Sequence, residues 1–252
     1  MIDIAMLSCN KARITRTCIE ELARRTRTRH WLTVLDNGSI DDSPKTLIKL
    51  WENDHIDVRL LKPENKGVHW GHNWLLDTIV KSKPYYICTD SDIVPQNSDP
   101  DWLARLIDLA DRHPEYASIS CRIHAFIGDS AQAMFRDAPE VVERPWMGAW
   151  LRIMRTEVVR EVGGWNRTRF APERNNEEKW IGKRLREAGW KVGVARDIRC
   201  IHLWGDPEKY PNEDAWGYPV GVPHGHRDVS PPPCVFNWDR VGVDWETCKP
   251  SP

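Results

Sequence analysis

Apolar runs in the first ninety residues end abruptly in short polar clusters. Ile2 to Leu7 stops at Ser8-Cys9-Asn10. Trp31-Leu32-Thr33-Val34-Leu35 stops at Asp36-Asn37-Gly38-Ser39, with Asp41, Asp42 and Ser43 close behind. Tyr85-Tyr86-Ile87-Cys88-Thr89 stops at Asp90-Ser91-Asp92. Runs of this length and composition predict buried strands. Between them apolar residues recur at helical spacing: Ile14, Cys18 and Leu22 at i, i+4 and i+8, then Leu47, Leu50 and Trp51 at i, i+3 and i+4. Ser43-Pro44 predicts an N-cap followed by proline at the first helical position. Strand alternating with helix implies a parallel sheet wound by right-handed crossovers, whose carboxyl-end loops converge on one rim. Open α/β sheets bind ligands at that rim.

The pattern continues with a helix over Trp70 to Val80, opened by Glu64-Asn65-Lys66-Gly67, where the glycine permits a tight turn and the lysine offers charge to a diphosphate. A helix from Pro100 to His113 is stopped by Pro114, and a strand follows over Tyr116 to Ala125. Residues Gly128 to Arg144 are polar and predict an irregular, mobile loop. A strand over Met147 to Met154 leads into a short helix from Thr156 to Val162, closed by Gly163-Gly164. Asn175 or Asn176 caps a further helix that ends at Gly189. Its first turn holds Glu177 and Glu178, where the helix dipole favours negative charge whether or not the residues do chemistry. Lys191 to Leu203 predicts one or two strands carrying His202. Nine of the 18 prolines fall after Asp206, so 206–252 is expected to be an irregular extension packed on the same domain.

The 252 residues suffice for one large domain or two small ones, and no linker or internal repeat divides them. A net charge of -1 gives no general pull toward nucleic acid. No hydrophobic run approaches a membrane span. Met1 to Leu7 carries Asp3 and lacks a basic start, so no secretory signal is expected. Seven scattered cysteines without a Cys-x-x-Cys pair suggest reduced thiols in a cytoplasmic setting and exclude an obvious zinc site. The run Arg24, Arg25, Arg27, Arg29 and His30 is expected to be a solvated face at a helix C-terminus. Tryptophan is the compositional outlier, 14 against 4 phenylalanines. Most are expected in the core. Trp146, Trp150, Trp204 and Trp216 are better placed to line a cleft and stack on a sugar or base.

Two carboxylates one residue apart at a strand end, Asp90 and Asp92, can hold a hard divalent cation beside a phosphate. With the other strand ends, they resemble the inverting glycosyltransferases of family 2, which have the GT-A fold: a mostly parallel, Rossmann-like sheet with flanking helices. Val34-Leu35-Asp36-Asn37-Gly38-Ser39 with Asp41 resembles that family's second-strand nucleotide motif, Asn65-Lys66-Gly67 its Asn-x-Gly turn, and Asp90-Ser91-Asp92 its metal-binding Asp-x-Asp. Gly148 to Trp165 is similar to its acceptor-side segment ending in Gly-Gly-aromatic. Asn176-Glu177-Glu178, with Arg184-Leu185 and Gly189, resembles the helix that bears its catalytic base. The likeness covers residues 2–205, with a nucleotide-sugar half over 1–95 and an acceptor half over 96–205.

The resemblance implies a metal-dependent transfer of sugar from a nucleotide-sugar, UDP-linked by default, to a hydroxyl. Asp90, Asp92 and His202 would hold Mn²⁺ or Mg²⁺, the imidazole favouring Mn²⁺. Ser8, Asn10, Asp36, Asn37, Lys66, Gly67, Asp90 and Ser91 would border the nucleotide-sugar, and Gly148, Ala149, Trp150 and Trp204 the sugar or acceptor. Glu178 is the expected base, Glu177 its alternate. The family more often has Asp at 178, and a second Asp where Trp180 stands. The acceptor could be a saccharide, a protein side chain, a lipid-linked sugar or a modified nucleic acid. Two other classes share the pattern. A nucleotidyltransferase would open with a glycine-rich basic loop, which Ser8-Cys9-Asn10-Lys11 is not. A non-catalytic nucleotide-sugar or carbohydrate binder would have no need of Asp90, Asp92 and Glu178 together.

Overall fold

A computed structural model of the chain describes residues 1–96, 101–123, 135–145, 148, 150–165, 177–203, 243–244 and 249–250. The elements alternate as the apolar pattern predicts: β1 (Ile2–Ser8), α1 (Ala12–Arg25), β2 (His30–Asn37), α2 (Ser43–Glu52), β3 (Val58–Lys62), α3 (Val68–Thr78) and β4 (Tyr85–Asp90). There follow β5 (Ile93–Pro95), α4 (Trp102–Arg112), β6 (Tyr116–Ile123), β7 (Val141–Glu143), β8 (Arg152–Arg155), α5 (Thr156–Glu161), α6 (Glu177–Glu187) and β9 (Lys191–His202). A separate antiparallel pair, β10 (Val243–Asp244) and β11 (Lys249–Pro250), is described within the proline-rich tail.

One nine-stranded sheet runs β3-β2-β1-β4-β8-β6-β9-β5, with β7 paired to β9. Its first four strands are parallel, as the helical crossovers require. Beyond β4 it is mixed: β8 is inserted antiparallel between β4 and β6, β9 returns parallel to β6, and β5 and β7 lie antiparallel on β9. The part of the loop over 128–144 that is described is not wholly irregular, because β7 pairs there with β9.

Side chains alternate between two apolar layers. Ile4, Met6, Val34 and Ile87 face a layer closed by α1, α2 and α4. Ala5, Leu7, Leu35, Tyr86 and Cys88 face a layer closed by α3, α5 and α6. The same alternation turns Asp90, next after Tyr86 and Cys88 on its face, toward α3. Among the described tryptophans only Trp102 and Trp165 are fully buried; Trp31 and Trp51 are exposed and Trp70, Trp74, Trp150, Trp180 and Trp190 half-buried. Their size leaves an edge in water even where one face packs. The basic run likewise divides: Arg25 is buried and paired with Glu21 at 2.7 Å, because it faces the sheet from the last turn of α1. The N-cap of α2 is Asp42 rather than Ser43, and Pro44 still sits in the first turn.

Asp101 ties the two halves of the first layer together. Its carboxylate caps α4 through Leu103 N and Ala104 N at 3.0 Å, and accepts from Arg27 N and Thr28 N at 2.6 Å. Burial pushes this carboxyl up, but the amide and hydroxyl donors outweigh it and hold the group below its ordinary value. A depressed folded pKa contributes stability that is complete above the unfolded value of about 4 and is lost as pH falls through the folded one. Asp101→Ala is therefore expected to cost about 2 kcal/mol at neutral pH. In urea titrations the difference from the parent should shrink as pH drops below about 4.

Candidate active site

Strand register assembles the rim. Ser8 lies opposite Asp36 across β1 and β2, and Leu7 opposite Asp90 across β1 and β4, so three strand ends finish almost level. Asn10 and Lys11 leave β1 in the left-handed region, φ 58° and 64°, a conformation that non-glycine residues adopt at some cost. Hydrogen bonds hold the turn. Asn10 N donates to Ser39 Oγ at 2.6 Å, Asn10 Oδ1 accepts from Ile40 N at 2.9 Å, and Asp41 accepts from Ala12 N at 3.0 Å. Ser39 Oγ in turn donates to Asp36 Oδ1. Asp36 is wholly buried, its Oδ2 has no hydrogen-bond partner among the described residues, and burial pushes its carboxyl up despite Ser39.

Asn37 joins this turn to the next. Its Nδ2 donates to Asn65 Oδ1 and Gly67 O, both at 3.1 Å, and its Oδ1 accepts from Lys66 N at 3.2 Å. Gly38 has φ +73°, and a Cβ there would lie 2.2 Å from Asn65 N. Gly38→Ala is thus expected to cost about 1–3 kcal/mol in urea unfolding, because the added Cβ must displace the 65–67 turn. Lys66 Nζ rests against Glu64 at 3.1 Å and over the Trp70 ring at 5.4 Å.

The ammonium that meets the second Asp-x-Asp carboxylate belongs to Lys11, whose Nζ donates to Asp92 Oδ2 at 2.7 Å. His202 Nε2 stands 3.4 Å from Asp92 Oδ1, an approach fixed by β5 and β9: Ile93 pairs with His202, and Leu203 N donates to Asp92 O at 2.6 Å. Burial would raise the Asp92 carboxyl, yet Lys11 and His202 hold it well below the usual range. Ser91 is buried behind, accepting from Thr15 Oγ1 at 3.1 Å, and Thr15 also meets Ser8 Oγ at 3.3 Å. Among the described residues no three acidic, histidine or cysteine groups cluster to hold a metal. Asp92 and His202 offer one carboxylate and one imidazole, a partial shell that suits an ion finished by substrate phosphates and water.

Asp90 is served from beneath by residues that its sequence neighbourhood does not reveal. His72, buried on α3, has Nε2 3.6 Å from Asp90 Oδ1 and Nδ1 3.4 Å from Cys88 Sγ. Burial alone would lower the imidazole, but Cys88 and Asp90 raise it to about 9. Arg152, fully buried on β8, donates Nη2 to Cys88 Sγ at 3.3 Å and Nη1 to Gly148 O at 2.9 Å. It stays firmly charged against burial because Cys88, Asp90 and Glu178 all support it. Trp165 roofs both cations, stacked on His72 at 5.0 Å and 5.7 Å from the Arg152 guanidinium. Asn73 clamps the Trp165 backbone, Nδ2 to its carbonyl at 3.0 Å and Oδ1 from its amide at 2.9 Å. A Cβ on Gly164, φ +68°, would sit 2.3 Å from Asn73 Oδ1, which accounts for glycine before that aromatic.

Of the expected acceptor residues, Gly148 is buried under the Trp150 ring, and Trp150 Nε1 donates to Cys121 O at 2.5 Å. Ala149, Trp146, Trp204, Trp216 and the side chain of Glu177 lie outside the described residues. Glu178 is half-buried in the first turn of α6. Sequence reasoning missed Lys11, His72, Asn73 and Arg152. Lys11 was signalled by its place beside Asn10. The other three sit at ordinary helix or strand positions that carry no local mark.

A family model described as Glycosyl transferase family 2 matches residues 3–174. Among solved structures, mannosyltransferase PcManGT from Pyrobaculum calidifontis with GDP-Man and Mn²⁺ is similar at TM-score 0.64 and 16% identity, over 80% of this chain and 56% of that one. GalNAc-T7 with UDP, GalNAc and Mn²⁺ is similar at 0.63 and 14%, over 81% and 44%. S. aureus TarS 1-349 with UDP-GlcNAc is similar at 0.59 and 13%, over 82% and 60%. The chain thus spans less than two thirds of each. No curated protein matches.

Proposed function

Because the chain belongs to glycosyl transferase family 2 and is a glycosyltransferase with the GT-A fold, we propose that it moves a sugar from a UDP-sugar to a hydroxyl acceptor with inversion at the anomeric carbon. Arg152 carries this reading. One buried guanidinium on β8 feels the charge of both Asp90 at the end of β4 and Glu178 at the start of α6, so the two proposed carboxylates lie near a common cation.

Asp36 Oδ2 supports nucleoside binding, since a buried carboxylate oxygen without a partner favours a donor such as a base imide or ribose hydroxyl. Lys11 brings a fixed positive charge to the region where a diphosphate would sit. Asp92 and His202, with Asp90 beside them, would hold Mn²⁺ or Mg²⁺, and that ion when bound would neutralise the departing diphosphate. His72 stands beside Asp90, whose side chain stays one-third exposed and would be open to the donor. Glu178 takes the proton of the acceptor hydroxyl, with Glu177 the alternate, as the oxygen attacks from the face opposite the leaving group. The solved structures with GDP-Man, UDP and UDP-GlcNAc bind nucleotides or nucleotide-sugars on the same fold.

The test is a thermal-shift panel of UDP-, GDP- and dTDP-sugars with and without Mn²⁺, followed by assay of donor hydrolysis. UDP-sugars with Mn²⁺ are expected to give the largest shift and a slow release of UDP. Equal shifts without metal, or preference for another base, would overturn the corresponding part.

A further inference from the structure

At the carboxyl ends of β6 and β9, two arginines meet one aromatic ring and a third pairs with one of them across the strands. Parallel pairing sets Arg122 directly opposite Arg199, an arrangement that like charges disfavour. The Arg122 guanidinium lies 4.8 Å above the Phe135 ring, and that of Arg144, just past β7, lies 5.5 Å from the same ring. Arg122 is 6% exposed and its Nε has no hydrogen-bond partner among the described residues. Burial and Arg199 both disfavour its charge; Asp197 supports it but is itself engaged by Arg196 Nε at 2.7 Å. A cation–π contact returns only part of the hydration that a buried guanidinium gives up. The arrangement is that of a site built for an anion, because guanidinium groups in a fork bind carboxylate and phosphate bidentately.

Its position says which molecule carries that anion. Ile119, Cys121 and Ile123 pack in the first layer, so Ser120 and Arg122 share the opposite face of β6. Ser120 pairs with Arg152 and donates to Gly148 O at 3.3 Å, the same carbonyl that Arg152 holds. Arg122 is one pleat further toward the rim, roughly 7 Å along the strand. That is about one sugar ring from the level of Arg152. It is separated from the diphosphate region by β8 and β4, which lie between β6 and β1 in the sheet.

We propose that Arg122, Arg144 and Arg199 form a subsite for a carboxylate or phosphate group on the acceptor, one ring away from the hydroxyl that reacts. This rests on the transferase reading for the word acceptor, though the anion site stands on its own residues. The test uses the full chain, with glucuronate, inorganic phosphate and, as the neutral control, methyl glucoside as probes in thermal shift and calorimetry. UDP with Mn²⁺ is run in parallel. The parent should respond to an anion and not to methyl glucoside. Arg122→Met should melt higher than the parent without anion, having lost an uncompensated charge, and bind the anion about tenfold more weakly. Arg199→Gln, at an exposed position, should show the same weakening with an unchanged melt. Both variants should keep the UDP response, whose loss in the parent would sink the donor assignment and leave the anion site standing. Response to glucuronate alone identifies a uronate-type acceptor, and to phosphate alone a phosphorylated one. A parent that neither anion stabilises, or variants that answer the anions as the parent does, overturns the subsite.

Discussion

On the proposed function, Asp92→Asn is expected to lower transfer about a thousandfold and to abolish any gain in nucleotide affinity from Mn²⁺. The carboxylate is nearly buried and faces Lys11 at 2.7 Å and His202 at 3.4 Å, which together favour its negative charge. Asparagine keeps its shape and removes the charge. The Lys11 side chain is 43% exposed and regains water when its partner is neutralised. The backbone bond from Leu203 N to Asp92 O does not depend on the side chain. The fold should therefore survive, and circular dichroism with urea titration should confirm it. Calorimetric UDP titrations with and without Mn²⁺ then read the effect directly. Undiminished metal-dependent binding would remove Asp92 from the metal site.

Glu178→Gln should leave donor binding intact and reduce turnover by about 10² to 10⁴, the usual worth of a general base. The change preserves the size of the side chain and removes the charge that supports Arg152 from α6, while Cys88 and Asp90 continue to support it from β4. Steady-state kinetics should show kcat falling with the donor KM unchanged. Glu177→Gln is the matched control, next along the same first turn. If it, and not Glu178→Gln, loses turnover, the roles exchange. If neither does, the base lies elsewhere.

The two variants probe opposite sides of one arrangement, and its centre is made of residues that do not stand out in the chain. His72 and Arg152 place two cations behind Asp90, Cys88 lies between them, and Trp165 closes over both. Trp165 depends in turn on Asn73 and on the glycine that leaves room for it.

The sequence by itself determined the strand–helix alternation through β4, because apolar period and turn residues are local properties. It also determined that Ser8, Asp36 and Asp90 would meet, since parallel strands joined by right-handed crossovers must end on one rim. Gly38, Gly67, Gly163 and Gly189 were legible as turns and take positive φ. Only the tertiary structure decided the rest of the sheet: β8 runs antiparallel between β4 and β6, and a strand's partner is chosen by long-range packing rather than by its own residues. It decided that His202 stands at Asp92, through the pairing of β5 with β9, and that Lys11, three residues beyond the end of β1, reaches the same carboxylate. It also brought Arg122 against Arg199, from positions 77 residues apart in the chain. Charge does its work through distance in space, and sequence records distance only along the backbone.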